Sequence, residues 1–263
     1  MSAKKRAGQF LGLLLILVLA ACSRQTEPAS QDKTQGQTQV LFIGNSHTFV
    51  NDVPGMFESM ALAAGHQVNA EMVAHGGWTL LDHVQSPETI QMIRSAEWDF
   101  VVLQEQSDIP SFTYNREQEM YPSIRGLYRE ISARGADTVL FMTWGHRDGS
   151  IVESVGGYIS ESSLLETAYV TIGDELGVVI APVGVAWWSA MQNAPSLALW
   201  EEDGNHATLE GSYLAASVLY HVILGQSPEG NSYTAGIAVD WALFYQKVAS
   251  ATILANPRRW NFP

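Results

Sequence analysis

Five short, mainly apolar runs, at 40–43, 67–73, 98–103, 138–142 and 178–180, each give way to a turn and then to a stretch of helical spacing. No other feature of this 263-residue chain constrains its fold as much. Short apolar runs bounded by Gly, Asn and Asp read as buried strands. Segments 53–64, 87–96, 116–134, 157–176, 184–192, 206–224 and 241–254 read as helices, with Gly65, Gly135 and Gly177 at C-cap positions. Such alternation predicts a mostly parallel five-stranded sheet covered by helices on both faces, a three-layer α/β/α sandwich. Right-handed crossovers then bring every strand's carboxyl end to one edge, where open sheets bind their ligands. Hydrophobic residues make up 46% of the chain, enough core for a single domain over 39–263.

The residues that reach this edge carry chemistry. Gly44-Asn45-Ser46 ends the first run. A serine at a strand-to-helix turn is held still by the strand, and the turn offers backbone N–H groups to a developing negative charge. Gly76-Gly77-Trp78-Thr79 follows the second run and Gln104-Glu105-Gln106-Ser107-Asp108 the third. Trp144-Gly145-His146-Arg147-Asp148 follows the fourth. Glu202-Asp203-Gly204-Asn205-His206 directly precedes a strongly apolar helix. A neutral imidazole there can take a serine's proton, while the aspartate fixes its tautomer and stabilises the imidazolium that forms. Ser46, Asp203 and His206 are therefore the catalytic candidates.

Taken together these blocks resemble the SGNH (GDSL-like) hydrolase superfamily. The serine block of that family is matched by Gly44-Asn45-Ser46, with Asn in place of Asp, and its Asp-x-x-His block by Asp203-Gly204-Asn205-His206. The resemblance implies a flavodoxin-like domain and a serine nucleophile in Ser46. It also implies an oxyanion hole from the Ser46 N–H, a glycine N–H after the second strand and a side-chain amide after the third. Gly77 matches the glycine best, with Gly76 beside it. The family's Gly-x-Asn-Asp third block is missing. Leu103-Gln104-Glu105-Gln106 resembles instead a Gln-Gly-Glu variant of some carbohydrate-esterase branches, so Gln104, or else Gln106, takes the asparagine's place. The activity implied is hydrolysis of small acyl esters, acetyl foremost, with carbohydrate alcohols as candidate partners. A sugar O-acyltransferase using the same triad, and a catalytically silent glycan-binding lipoprotein, are the alternatives.

Several neighbours carry weaker expectations. Trp144, Trp78 and Gln106 are candidates to line the substrate pocket; eight tryptophans suit a site for sugars or apolar acyl groups. His47 reads as part of the nucleophile's turn, Glu105 as a structural pair and Asp108 as a rival orienter of the histidine. His75 and His83 lack partners at familiar ligand spacing, so no metal is expected. With no phosphate loop or dinucleotide fingerprint, no cofactor is expected either.

The N-terminus reads as an address. Lys4, Lys5 and Arg6 precede an apolar stretch, and Leu19-Ala20-Ala21-Cys22 resembles a bacterial lipoprotein cleavage box. Residues 1–21 are then a signal peptide, Cys22 the lipidated N-terminus, and 22–38 a polar tether reaching about 20–25 Å from the membrane. Ser23 after the cysteine favours the outer membrane over the inner, with the domain facing the periplasm of the cell envelope. Cys22 is the single cysteine, so no disulfide is expected. Cleavage removes three positive charges and no negative ones, taking the formal charge from −13 to −16. That acidity argues against nucleic acid and against an anionic membrane face as partners.

Overall fold

The computed structural model describes residues 36–149 and 157–263. The signal segment, Cys22 and most of the expected tether lie outside these residues. Strands β1 (Thr38–Gly44), β2 (Val68–Ala74), β3 (Phe100–Leu103), β4 (Asp137–Phe141) and β5 (Val179–Ala181) pair in the order β2-β1-β3-β4-β5. All four pairings are parallel. Side chains alternate through the sheet. Val40 and Phe42 pack on one side with Val102, Val139 and Phe141, whereas Leu41 and Ile43 pack on the other with Val101, Leu103 and Leu140. Both sets are buried, which is why the strands read as continuous apolar runs rather than as an alternating pattern.

Helices α1 (Ser46–Phe49) and α2 (Val53–Ala63) follow β1, and α3 (Leu80–Gln85) and α4 (Pro87–Ser95) follow β2. After β3, α5 (Thr113–Asn115) runs through a π-helical turn at Arg116–Met120 into α6 (Tyr121–Ser132). Then come α7 (Tyr158–Leu176), α8 (Val183–Asn193), α9 (Leu209–Leu224) and α10 (Val239–Ala255). Residues of α2, α8, α9 and α10 cover the Phe42 side; residues of α3, α4, α6 and α7 cover the Leu41 side. This is the expected α/β/α sandwich.

One boundary matters for the site. The helix expected from residue 206 starts at Leu209, because the Thr208 hydroxyl accepts the Gly211 N–H at 3.2 Å and caps it. His206 is therefore left in the preceding loop, free of helical geometry. The chain passes from β1 outward to β2 and then back across β1 to β3, so the order of strands reverses between β1 and β3. A crevice opens at such a switch point above the strand carboxyl ends. Ser46 follows β1 and Gln104 follows β3.

Candidate active site

The nucleophile's turn is held from every side. Asn45 caps α1 by accepting the His47 N–H on Oδ1 at 3.1 Å, and its Nδ2 donates to Trp78 O at 2.8 Å. Gly44 O accepts from His83 Nε2 at 2.8 Å and from the His75 N–H at 3.2 Å. His83 is fully buried, and burial lowers its pKa, so it serves as a neutral brace with Thr89 Oγ1 2.9 Å from its other nitrogen. Gly44 admits no side chain, since a Cβ would run into Thr48 Oγ1 and Gln104 Oε1. Ser46 opens α1, so its own N–H has no helical acceptor and none among the described residues.

Ser46, Asp203 and His206 meet. Ser46 Oγ lies 2.9 Å from His206 Nε2, and His206 Nδ1 lies 2.6 Å from Asp203 Oδ2. Asp203 Oδ1 accepts the N–H groups of Asn205 at 2.9 Å and His206 at 3.0 Å, which folds the loop around the carboxylate. The hydrogen bond from His206, reinforced by these two, holds the Asp203 carboxyl down at about 2. An ionised Asp203 requires the proton on Nδ1, so Nε2 accepts the Ser46 hydroxyl. This is the arrangement that lets an imidazole deprotonate a serine.

An aromatic column carries the loop. The His47 ring stacks on Trp144 at 4.5 Å, and Trp144 stacks on Trp187 at 4.1 Å. Asn205, between the aspartate and the histidine, is gripped twice. Trp144 Nε1 donates to its backbone carbonyl at 2.9 Å, and His47 Nε2 to its side-chain oxygen at 3.1 Å. Burial pushes the His47 pKa down to about 3, so this ring stays neutral. Trp200 Nε1 donates to Gly145 O at 3.1 Å and the Arg147 N–H to Gly204 O at 2.8 Å, which fastens loop 200–206 to segment 144–147. Trp144 is 1% exposed. It is thus the floor beneath the histidine loop and not the pocket wall expected from sequence.

The oxyanion expectations divide. Gly77 has φ +75°, a conformation that favours glycine, and its N–H has no partner among the described residues. The same is true of the Gly76 N–H, so both remain candidates. The bonds from His75 to Gly44 and from Asn45 to Trp78 tie this glycine loop to the nucleophile's turn. Gln104 departs from expectation. Its Oε1 accepts the Asn45 N–H at 2.9 Å and the Thr48 hydroxyl at 2.8 Å. Its Nε2 donates to Asn45 Oδ1 at 2.9 Å and to Glu105 O at 2.6 Å. Both amide hydrogens are spent, and the side chain is buried. Gln104 braces the nucleophile's turn from below. Gln106 does not replace it as the donor, because its side chain is folded into its own loop, where Oε1 accepts the Asp108 N–H at 2.8 Å.

The role of Gln104 gives a test. Gln104→Met keeps the shape but strands the Asn45 N–H and the Thr48 hydroxyl, and leaves Asn45 Oδ1 with the His47 N–H alone. The urea midpoint should fall by the equivalent of about 2–4 kcal/mol. An oxyanion donor would instead cost about 10²–10³ in kcat with stability intact.

Glu105 is the structural residue expected. Fully buried, it accepts the N–H groups of Leu80 at 3.0 Å and Gln106 at 2.7 Å on Oε1. Burial raises its carboxyl to about 7, and Oε2 has no partner. Between the unfolded value near 4.5 and about 7, the folded chain keeps a proton that the unfolded chain has released. Its contribution to stability therefore falls as pH rises through that window and levels off above it. The buried neutral His47 and His83 act in the opposite sense below about 6.5, so the Glu105 contribution is read as a difference. In melts from pH 5 to 8, Glu105→Gln should gain stability relative to wild type as pH rises to about 7, by up to about 3 kcal/mol.

The other candidates are placed elsewhere. Trp78 is half-buried and packs on His75 at 4.1 Å and His83 at 5.1 Å. His75 pairs with Glu88 at 3.0 Å. Asp108 does not orient His206; it lies 4.0 Å from His146 Nδ1. His146 Nδ1 is 2.8 Å from Glu161 Oε1, and its N–H donates to Glu161 Oε2 at 2.8 Å. Asp108, His146 and Glu161 bring one polar atom each within 4.8 Å of one another. The close approach of Nδ1 to Glu161 reads as an N–H donated to a carboxylate rather than as a free lone pair for a cation. Sequence reasoning missed the roles of His83, Asn205 and Glu161, because each depends on a partner at least fifteen residues away.

No family model matches the sequence, and no curated protein matches it. Solved structures do. A DUF4886 family protein from Bacteroides uniformis superposes with a TM-score of 0.71 at 19% identity, over 83% of this chain and 95% of that one. A proposed SGNH hydrolase from Slackia heliotrinireducens gives 0.61 at 27% identity, over 71% of this chain and 99% of that one. An acetyl xylan esterase gives 0.57 at 12% identity, over 70% of this chain and 99% of that one. The five-stranded parallel sheet flanked by helices is thus the fold of SGNH-type hydrolase structures.

Proposed function

We propose that this protein is an SGNH-type serine esterase acting on small acyl esters, acetyl esters foremost. The observation that carries the reading is the chain of contacts from Ser46 Oγ to His206 Nε2 at 2.9 Å and from His206 Nδ1 to Asp203 at 2.6 Å. The N–H groups of Ser46, Gly76 and Gly77, which have no partner among the described residues, support it as candidate oxyanion donors. As Ser46 Oγ bonds to the ester carbonyl carbon, its proton passes to His206 Nε2 and the carbonyl oxygen becomes an oxyanion facing these N–H groups. Collapse breaks the bond to the alcohol oxygen, which leaves with the proton from Nε2. Water, deprotonated by the same nitrogen, then releases the acid and frees Ser46. Asp203 stays ionised and holds the imidazolium. The likeness to an acetyl xylan esterase is consistent with a short acyl group. A lipid on Cys22 would hold the enzyme at the cell envelope.

A series of p-nitrophenyl esters from acetate to octanoate tests the reading. Turnover that is fastest with acetate and falls with chain length supports it. A folded protein inert to the whole series would remove the esterase reading and leave a glycan-binding lipoprotein.

A further inference from the structure

Helix α1 buries His47 and Thr48, but leaves Ser46 half-buried and Phe49 37% exposed. Residues three apart share a helix face, so the Phe49 side chain neighbours the nucleophile. The mechanism gives this large apolar group no task. Its ring reaches the glycine loop. Apart from its chain neighbours, a Cβ on Gly76 would meet only Phe49 Cζ among the described residues, at 4.0 Å. A Cβ on Gly77 would meet nothing within 4 Å. Both glycines are exposed. Open space therefore lies over the two candidate oxyanion donors, and the Phe49 ring borders it.

Topology decides which part of an ester would fill this space. β2 lies on one side of β1, and β3 and β4 lie on the other. The glycine loop follows β2. The loop that carries His206 is fastened to segment 144–147, after β4, through Trp144, Arg147 and Trp200. His206 thus approaches Ser46 from the β4 side, whereas Phe49 meets Gly76 on the β2 side. The leaving alcohol oxygen takes its proton from His206 Nε2, so the alcohol lies toward that ring. The carbonyl oxygen faces the N–H donors. The acyl chain is left with the direction away from His206, over the glycines and against the Phe49 ring.

We propose that Phe49 is the specificity-determining residue for the acyl group: its ring closes the acyl side of the crevice and keeps the chain short. The inference rests on the esterase reading and deepens it, by assigning the limit on chain length to one side chain. Such discrimination is steep, because a hydrophobic pocket separates ligands that differ by one methylene about 10–200-fold. The Phe49 side chain takes no part in the proton transfers. Its backbone N–H donates to Asn45 O at 3.1 Å whatever the side chain is, so α1 survives substitution.

The full chain, Phe49→Ala and Phe49→Trp are assayed on p-nitrophenyl acetate, butyrate and hexanoate, and on hexyl against ethyl acetate. Melts and fluorophosphonate labelling of Ser46 run in parallel. In Phe49→Ala the hexanoate-to-acetate ratio of kcat/KM values should rise about 10–100-fold. In Phe49→Trp the butyrate-to-acetate ratio should fall. The hexyl-to-ethyl ratio should follow wild type in both. Acyl ratios that match wild type in both variants overturn the inference and leave the esterase standing. A fall in the hexanoate ratio of Phe49→Ala also overturns it, since the ring would then be a platform for long chains and not a wall. So does a change in the hexyl-to-ethyl ratio as large as that in the acyl ratios, which would put Phe49 on the alcohol side. Failure of wild-type Ser46 to label removes the esterase reading itself.

Discussion

Replacing Ser46 with alanine lowers p-nitrophenyl acetate turnover by about 10⁴–10⁶-fold and leaves Tm within a degree or two of wild type. The size follows from the loss of the only atom that forms a bond to the substrate. In serine hydrolases, removing the nucleophile leaves what binding and the oxyanion donors supply. The small effect on stability follows from what the hydroxyl touches. Ser46 Oγ hydrogen-bonds to His206 and to no other described side chain, and the backbone of its turn is held by Asn45, His83 and Gln104. Stopped assays on wild type and variant, with melts of both, check the pair of expectations. A variant that keeps more than a tenth of wild-type activity would mean that another residue attacks the ester.

Asp203→Asn should cost about 10⁴ in kcat, again with little change in fold. The amide oxygen can still accept the N–H groups of Asn205 and His206, so the loop keeps its shape. What changes is the proton on the ring. Ionised Asp203 accepts from Nδ1 and leaves Nε2 to accept from Ser46. An asparagine turned to donate toward Nδ1 forces the proton onto Nε2, where it faces the hydroxyl that must be deprotonated. The pH range is set by a carboxyl held at about 2. A depressed carboxyl stabilises the fold above its unfolded value near 3.8, and that contribution is lost as pH falls through about 2. The carboxyl is half exposed, so its effect on stability is small, whereas its effect on the tautomer is large. A variant within tenfold of wild type at pH 7 would show that another group orients His206.

The sheet was legible because its signals are local. A strand buried on both faces is a short apolar run, and β1, β3 and β4 each end at residues that break the pattern. Ser46, Asp203 and His206 were legible for a related reason. Ser46 falls in a short block directly after β1, at the edge the parallel topology defines, and Asp203 and His206 share one short block shortly before α9.

Gln104 shows where sequence stops. Its position after β3 was readable, but the direction of its amide was not. That depends on Asn45 and Thr48, more than fifty residues away, and on a buried turn that takes three hydrogen bonds from one side chain. Trp144 fails in the same way. A tryptophan after a strand can face the crevice or the core, and here His47 and Trp187 enclose it from both sides. The start of α9 turned on one hydroxyl, Thr208, which competes locally with an apolar pattern already running from residue 206. The Glu161–His146 pair had no sequence signal, since the two residues lie fifteen apart on different elements.

The measurement closest to the central claim is intact-mass spectrometry of the full chain after a fluorophosphonate, with the adduct mapped by peptide sequencing. The account predicts one adduct per chain, on Ser46, formed in step with loss of esterase activity and absent from Ser46→Ala and His206→Ala. A folded protein that takes no adduct, or takes it on another residue while Ser46 stays free, would contradict it.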